Sequence, residues 1–295
     1  MSVWDTCVDA CVILVEPWLL VLYSLSHVPQ TVRQIVRSGD WARLLSPSAF
    51  HDALFGNFWA TFGPNVKQNA QVNVIPLLQG RVRGGRVHED PVGPPIRGTV
   101  IEVGAGSGLW ADVFARFAGP QATERLPGSR GITKIYGIEP NAISAVALRA
   151  RVKEVGLGNV YEVVPVGIED VEDEAAWGGR IEPGSVDAIV SILCLCSIPE
   201  PEKNIKLLYR LLKPGGTWYL YEHVKTKRGG PLMSLYQRLI APVWRISFGS
   251  CQLCRNTEKS LRDAGPWEHI DLCQPPTEPT LSLCPHIYGS ATKKL

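Results

Sequence analysis

The chain has 295 residues, of which 45% are hydrophobic and 20% charged, and this composition is typical of a globular protein and excludes disorder throughout. Lys and Arg number 30 and Asp and Glu number 28, so the formal net charge is +2. Because no block of like charges adds a local field, the composition argues against a general nucleic-acid binder.

The 8 cysteines are too few for a disulfide scaffold at this length, and Cys194 and Cys196 lie within an apolar run. The pair Cys251 and Cys254 resembles half of a zinc site, but a second close pair is missing, so ordinary buried thiols are favoured. We therefore expect no metal ion.

The expected location is intracellular, either cytoplasmic or attached to the cytosolic face of an internal membrane, because unpaired cysteines suit a reducing compartment.

The N-terminal segment is mostly apolar over residues 11–25, but it is interrupted by Glu16 and Pro17. It is shorter than the ~20 apolar residues that cross a bilayer, and acidic residues precede it where a secretory signal has positive ones. Two interpretations remain. One is a helix that packs against the domain or a partner; the other is an interfacial anchor that gives residues 1–28 a peripheral membrane contact.

Residues 29–79 are predicted to form a helical lid, because apolar residues recur there at helical spacing. The apolar face at 50–59 is followed by Gly63 and Pro64, which predict a break in the helix. Residues 80–98 are rich in Gly and Pro and predict a linker. Residues 99–295 are predicted to form the main domain.

From residue 99 onward, short apolar strands alternate with amphipathic helices. The predicted strands are 99–103, 134–138, 160–164, 186–195 and 217–224. The predicted helices lie around 109–117, 143–150 and 205–212, with Ile143, Val146, Ala147 and Ala150 on the apolar face of the second. Strands that are separated by helices pair in parallel through right-handed crossovers, so the predicted fold is α/β, a doubly wound parallel sheet.

A glycine loop occupies the first strand-to-helix turn, with Gly104, Gly106 and Gly108 in the run VIEVGAGSG. Glycine permits a sharp turn there and lets a ligand approach the backbone amides. A dinucleotide fingerprint needs its last glycine at the position of Leu109, and a phosphate-binding Walker loop needs a lysine after Gly108. Neither is present, and the remaining common occupant of such a turn is S-adenosylmethionine.

Two acidic residues suit that cofactor. Glu102 is expected to meet the ammonium group, and Glu139, at the end of the second strand, to accept hydrogen bonds from both ribose hydroxyls. The separation of Glu139 from the glycine loop is long because residues 118–131 form a Gly- and Pro-bearing loop. The alternative for Glu139 is a solvated carboxylate at a helix start before Pro140.

These motifs together resemble the class I S-adenosylmethionine-dependent methyltransferases of the type 11 group, and most closely the methyltransferase-like thiol methyltransferases. The residues that carry the resemblance are VIEVGAGSG (100–108), YGIEPN (136–141), VGIED (166–170), SVDAIVSILCLCSIPEPEK (185–203), LLKPGG (211–216) and YLYEHV (219–224). The resemblance implies a mostly parallel seven-stranded sheet with antiparallel final strands, an apolar N-terminal anchor, and S-adenosylmethionine as cofactor.

The resemblance also implies which residues hold the cofactor. Gly167, Ile168 and Glu169 are expected beside the adenine, and Ser191 and Leu193 at the methionine end, with plain strand-end packing as the alternative for all five. The complete predicted set is Glu102, Gly104, Ala105, Gly106, Gly108, Glu139, Pro140, Gly167, Ile168, Glu169, Ser191 and Leu193. Ala105 stands where the family commonly has cysteine.

For function, the first hypothesis is S-methylation of a small lipophilic thiol, and the second is O-, N- or C-methylation of a natural product or a quinone-like ring. The third is a cofactor-binding scaffold without activity. His223 is the predicted catalytic residue, because an imidazole at a strand end can assist deprotonation of the acceptor. The alternative is a histidine satisfied by the backbone. The expected partner is a small-molecule acceptor, and no oligomeric state is predicted.

Overall fold

The computed structural model describes residues 3–118, 122–124 and 131–295, and in the first helix it describes the side chains only of residue 12 and from residue 14 onward. Much of the predicted loop at 118–131 therefore lies outside the described residues. The helices are α1 Val3–Leu25, α2 Val28–Ser38, α3 Ala42–Leu45, α4 Pro47–Leu78, α5 Ala111–Ala115, α6 Ala142–Glu154, α7 Glu174–Trp177, α8 Pro201–Leu211, α9 Gly230–Ser247 and α10 Thr257–Arg262. The strands are β1 Val82–Arg83, β2 Arg86–Val87, β3 Gly98–Val103, β4 Ile132–Ile138, β5 Tyr161–Val164, β6 Val186–Ile192, β7 Leu212–His223, β8 Trp267–Cys273 and β9 His286–Lys293.

The chain divides into two compact units. The first, here the helical unit, comprises Met1–Val66, His223–Arg255 and Thr277–Pro285, and the second, the sheet unit, comprises Lys67–Glu222, Asn256–Pro276 and His286–Leu295. The sequence assigned residues 99–295 to a single domain. The structure differs, because two segments from the C-terminal half join the N-terminal helices.

The helical unit is built around an apolar cluster to which α1, α4 and α9 contribute. Its buried members are Val21, Phe58, Ile240, Trp244, Phe248, Leu253 and Leu283. Helix α1 is attached to α9 by polar contacts as well, because Ser24 Oγ donates to the carbonyl of Ser247 at 2.6 Å and the Tyr236 hydroxyl donates to the carbonyl of Leu14 at 2.6 Å. The first interpretation of the N-terminal segment, a packed helix, therefore describes its inner face.

The outer face of α1 remains apolar and exposed at Val15, Trp18, Leu19 and Leu22. Within the part of the chain that the structure describes, no helix combines the length and the apolar character that a membrane crossing requires. The peripheral membrane contact predicted for residues 1–28 stays a prediction.

Helix α4 continues through Gly63 and Pro64, where the sequence predicted a break. Proline removes one backbone hydrogen bond of a helix. Packing on both sides of this position favours the continuous helix, because before it the ring of Phe58 packs edge-on against that of Phe248 with centroids 5.2 Å apart, and after it Leu78 is fully buried. The local signal for a break was therefore outweighed by tertiary contacts.

The sheet unit contains a seven-stranded sheet in the order β5-β4-β3-β6-β7-β9-β8. The pairs β4–β5, β3–β4, β3–β6 and β6–β7 are parallel, and β8–β9 is antiparallel. Val100 and Ile101 are adjacent on β3 and point to opposite faces, and both are fully buried, so this strand is covered on both sides. The predicted doubly wound, mostly parallel α/β sheet is confirmed.

The predicted linker at 80–98 is an ordered part of the sheet unit. It contains the antiparallel pair β1–β2, and the hydroxyl of Tyr288 donates to the carbonyl of Gly85 at 2.5 Å. The carbonyl of Gly80 accepts from the amides of Val92 and Gly93 at 2.8 and 2.9 Å. Its many glycines and prolines therefore form tight turns rather than a free connection.

Helix α6 was predicted correctly as an element, but its buried face was wrong. Ile143 and Val146 are 60% and 65% exposed, whereas Leu148 is fully buried. Asn141 begins the helix, because its side-chain oxygen accepts from the amides of Ile143 and Ser144. An alanine-rich helix offers two apolar stripes, and the stripe that contains the large Leu148 packs on the sheet.

Candidate cofactor site

The predicted cofactor residues gather at one edge of the sheet, where the parallel strands β5, β4, β3 and β6 end. The last residue of β3, Val103, pairs with Ser191 of β6, and Ile138 of β4 pairs with Val164 of β5. Segments that follow these four strands therefore emerge side by side. In open α/β sheets, ligands bind at this carboxyl edge.

The glycine loop leaves β3 with Gly104, Gly106 and Gly108 in the left-handed region, at φ values of 66°, 57° and 86°. At Gly104 a Cβ atom would lie 2.6 Å from the Cβ of Cys194, so a larger residue would displace the segment after β6. The amide of Ala105 donates to the carbonyl of Ile138 at 3.0 Å. Ala105 thus ties the loop to β4, and its amide is already used within the protein.

Glu139 connects the end of β4 to the glycine loop. Its carboxylate accepts from the amide of Gly106 at 2.8 Å and from the amide of Asn141 at 2.9 Å. Burial raises the pKa of Glu139, and these two backbone hydrogen bonds oppose that shift. Because a carboxylate offers about four lone-pair sites, two such bonds leave acceptor positions for ribose hydroxyls. Pro140 follows directly, as the sequence indicates.

Glu102 is buried near the end of β3, and the hydroxyl of Tyr161 donates a hydrogen bond to its carboxyl group. Burial raises the pKa of Glu102 from 4.5 to about 8; the Tyr161 hydrogen bond lowers it, and the negative charge of Glu139 adds to the rise. A buried carboxyl in this state is stabilised in its charged form by a nearby cation. The predicted contact with an ammonium group would supply one.

Tyr161 and Gly137 were missed by the sequence analysis, although they determine the surroundings of Glu102. Gly137 pairs with Glu102 across β3 and β4. The ring and hydroxyl of Tyr161, on β5, occupy the space where a Cβ of residue 137 would stand. The available signal was a glycine inside a predicted strand, which often marks a close approach.

The segment after β6 borders the glycine loop on its other side. Leu193 has a left-handed backbone with φ 54°, and the buried carboxylate of Glu222 accepts from the amides of Cys194 and Leu195 at 3.3 and 3.2 Å. Ser191 is fully buried, and its hydroxyl accepts from Trp218 Nε1 at 3.0 Å. The sequence analysis did not predict a role for Glu222, although a carboxylate within an apolar strand indicates a buried polar partner.

Gly167, Ile168 and Glu169 follow β5, where residues Ile168–Asp170 form a short 3₁₀ turn. Ile168 is buried, and the carboxylate of Glu169 folds back over the position that a Cβ of Gly167 would occupy. The amide of Glu139 donates to the carbonyl of Val164 at 3.0 Å, which connects this corner to the end of β4. The strand end that leads into this predicted group is therefore bonded to the ribose-binding candidate.

His223, the predicted catalytic residue, belongs to the helical unit. Its Nε2 atom lies 2.9 Å from Sγ of Cys251, and Trp244 Nε1 donates to the same sulfur at 3.3 Å. These contacts give the imidazole a thiol partner. A catalytic role for His223 stays a prediction.

The sequence also matches a known protein family. Residues 86–265 match a family profile described as a methyltransferase domain. The chain belongs to this methyltransferase family. The match contains the glycine loop, Glu139 and the segment after β6, and it indicates S-adenosylmethionine as the cofactor.

Similar proteins of known activity cover part of this methyltransferase. Thiol S-methyltransferase TMT1B of Rattus norvegicus is 36% identical over 115 residues, and thiol S-methyltransferase TMT1A of Homo sapiens is 35% identical over 118 residues. Each match covers 39% of this chain and 46% of the relative. A ubiquinone biosynthesis O-methyltransferase of Xanthomonas campestris is 32% identical over 123 residues, and the match covers 41% of this chain and 41% of the relative. The matched region therefore spans less than half the length of each relative.

Solved structures agree on the fold. A geranyl diphosphate methyltransferase in complex with SAM has a TM-score of 0.51 at 14% identity, and the match covers 81% of this chain and 90% of that one. The S-adenosylmethionine-dependent methyltransferase SibL has a TM-score of 0.50 at 17% identity, covering 90% of this chain and 77% of that one. At these identities the likeness concerns architecture alone.

Proposed function

We propose that this protein transfers a methyl group from S-adenosylmethionine to a small lipophilic thiol. The observation that carries the proposal is the contact between the Glu139 carboxylate and the glycine loop at the carboxyl edge of the sheet. That contact supports the proposal, because it joins the residue that we expect to bind the ribose to the loop that we expect to hold the amino-acid end. The thiol S-methyltransferases among the relatives support the choice of acceptor atom.

The residues at this edge fit the proposed cofactor. The glycines of the loop carry no Cβ that would obstruct a ligand, and Gly106 has open space where its Cβ would stand. The carboxylate of Glu139 would accept hydrogen bonds from the two ribose hydroxyls, and the carboxyl group of Glu102 would contact the ammonium group. When bound, the cofactor supplies an electrophilic methyl group on a sulfonium centre.

The role left to the protein is mainly to position the two reactants. An in-line displacement requires the acceptor atom about 3 Å from the methyl carbon and aligned with the breaking bond. A thiol with a pKa of about 8.5 is already a few per cent thiolate near neutral pH, so it needs little help from a base. An alcohol would depend on one, and His223 is the residue for which we predict that role.

Transfer of an isotope-labelled methyl group would test this function. The full-length protein is incubated with methyl-labelled S-adenosylmethionine and with acceptor pairs that differ only in the reacting atom, such as a thiophenol and the corresponding phenol. We expect label in the thioether and little in the aryl ether. A Glu139→Ala variant serves as the control, because transfer by a contaminating enzyme would not depend on it.

The remaining hypotheses predict different results. Label in the phenol but not in the thiol would replace our proposal with O-methylation, for which the ubiquinone biosynthesis relatives provide support. Label in neither acceptor, with cofactor binding detected by calorimetry, would indicate a scaffold.

A further inference from the structure

A cluster of three side chains in the helical unit combines a thiol, an imidazole and an indole. His223 Nε2 lies 2.9 Å from Cys251 Sγ, and Trp244 Nε1 lies 3.3 Å from the same sulfur. His223 and Trp244 are buried, whereas Cys251 is half-buried. The sulfur therefore lies between two nitrogen atoms of buried side chains, and the residue that carries it is half-buried.

The chemistry of the two nitrogens favours the thiolate form of Cys251. An indole N–H is a donor only, so Trp244 must donate to the sulfur, and this contact stabilises negative charge there. Imidazole can hold the proton that the thiol releases, and an adjacent imidazolium is one of the surroundings that activate a cysteine. Both contacts therefore act in the same direction on one atom.

We propose that Cys251, paired with His223 and Trp244, is an activated thiol that is modified by soft electrophiles and by small disulfides. With a small disulfide, the Cys251 sulfur attacks one sulfur, the original S–S bond breaks, and a mixed disulfide forms. The electron pair of the broken bond leaves with the second sulfur as a thiolate, and the proton of Cys251 stays on His223. This modification needs neither the cofactor nor methyl transfer, although it uses His223, for which a role in methyl transfer is also predicted.

Cys254 is an internal comparison for this proposal. It stands three residues further along the chain, and as a residue it is exposed. Its thiol group is partly buried, and this burial raises the pKa of Cys254. If exposure alone governed reactivity, Cys254 would react before the half-buried Cys251. Activation by His223 predicts the opposite order, to which the raised pKa of Cys254 also contributes, so the part of the difference that depends on His223 is the part that tests the proposal.

Competitive alkylation would measure that order. The folded full-length protein is treated with a limiting amount of iodoacetamide at about pH 7, well below the ordinary thiol pKa of about 8.5. After a quench with a heavy-isotope reagent, trypsin releases one peptide, residues 246–255, that carries both cysteines. Fragment ions then give the rate at each sulfur. We expect Cys251 to react about tenfold faster than Cys254.

Substitution of the partners tests the cause. In His223→Gln we expect the rate at Cys251 to fall about tenfold while the rate at Cys254 is unchanged, and in Trp244→Phe a smaller fall. The unchanged rate at Cys254 distinguishes lost activation from a loosened segment, in which both rates would rise. Bis(2-hydroxyethyl) disulfide, a neutral small disulfide, should give the same order. Cys251 reacting no faster than Cys254, or equally in wild type and His223→Gln, would overturn the proposal.

Discussion

The hydroxyl of Tyr161 on β5 donates a hydrogen bond to the carboxyl of Glu102 on β3, across the backbone of β4. The two residues are separated by one intervening strand, and Gly137 on that strand leaves the space through which the tyrosine ring passes. A buried acid at the candidate cofactor site is therefore held by a residue two strands away.

Gly137→Ala should destabilise the protein, because the new Cβ would overlap the Tyr161 ring and displace its hydroxyl from Glu102. We expect a loss of about 1–3 kcal/mol in the free energy of unfolding, measured by urea denaturation. Gly158→Ala is the matched control, since nothing lies within 4 Å of a Cβ at that position. Equal losses in both variants would contradict the role of Gly137.

The free energy of unfolding should fall with rising pH through the titration of Glu102. Burial raises the pKa of Glu102 from its ordinary value of 4.5, expected in the unfolded chain, to about 8 in the folded protein. Between these values the folded state keeps a proton that the unfolded state releases, so folding is opposed by up to about 1.4 kcal/mol per pH unit.

Glu102→Gln removes this contribution, so the difference in unfolding free energy between wild type and variant should shift against the wild type as the pH rises. Urea denaturation of both proteins without cofactor, from about pH 5 to about pH 8, provides the measurement. Curves that run parallel across that range would show that the acid is ionised in the folded protein.

Glu139→Ala should weaken cofactor binding, because the substitution removes a charge-assisted acceptor from the ribose position. We expect a loss on the order of 1.5–3 kcal/mol in calorimetry with S-adenosylmethionine, seen in turnover mainly as a raised cofactor KM. Glu162→Ala on β5 is the control, since Glu162 is exposed and forms an ion pair with Lys134 at 2.8 Å. Cofactor affinity that matches the control would remove Glu139 from the site.

Glu222→Ala should disturb the segment after β6, because it leaves the amides of Cys194 and Leu195 without this acceptor. We expect a loss of about 1–3 kcal/mol in the free energy of unfolding together with weaker cofactor binding. Glu222→Gln keeps one acceptor oxygen, so its free energy of unfolding should lie between those of the wild type and the Ala variant. An Ala variant with wild-type stability would show that the carboxylate does not hold this segment.

Membrane contact through residues 1–28 can be tested on the exposed face of α1. The double substitution Leu19→Ser and Leu22→Ser removes exposed apolar surface and leaves the buried Val21 in place. If the face contacts lipid, the variant should float with liposomes less than the wild type. Leu45→Ser on α3 is the control, since Leu45 is 85% exposed. Equal partition of all three proteins into the soluble fraction would remove the anchor hypothesis.

Much of the architecture was predictable from local patterns. The alternation of apolar strands with helices predicted the parallel sheet, and VIEVGAGSG and YGIEPN marked the turns that follow β3 and β4. These features depend on neighbouring residues, namely side-chain period, glycine at a turn and an acid at a strand end, so a single sequence carries them. The position of Glu139 beside the glycine loop then followed from the parallel order of the strands.

Other features depend on which residues meet across the fold. The buried face of α6, the continuity of α4 through Pro64, and the pairing of Tyr161 with Glu102 all depend on contacts between distant segments. An alanine-rich helix has two similar stripes, and a strand pattern does not state its register. The free energy of packing chooses among such alternatives, because burial and hydrogen bonding are counted over the assembled core and not along the chain.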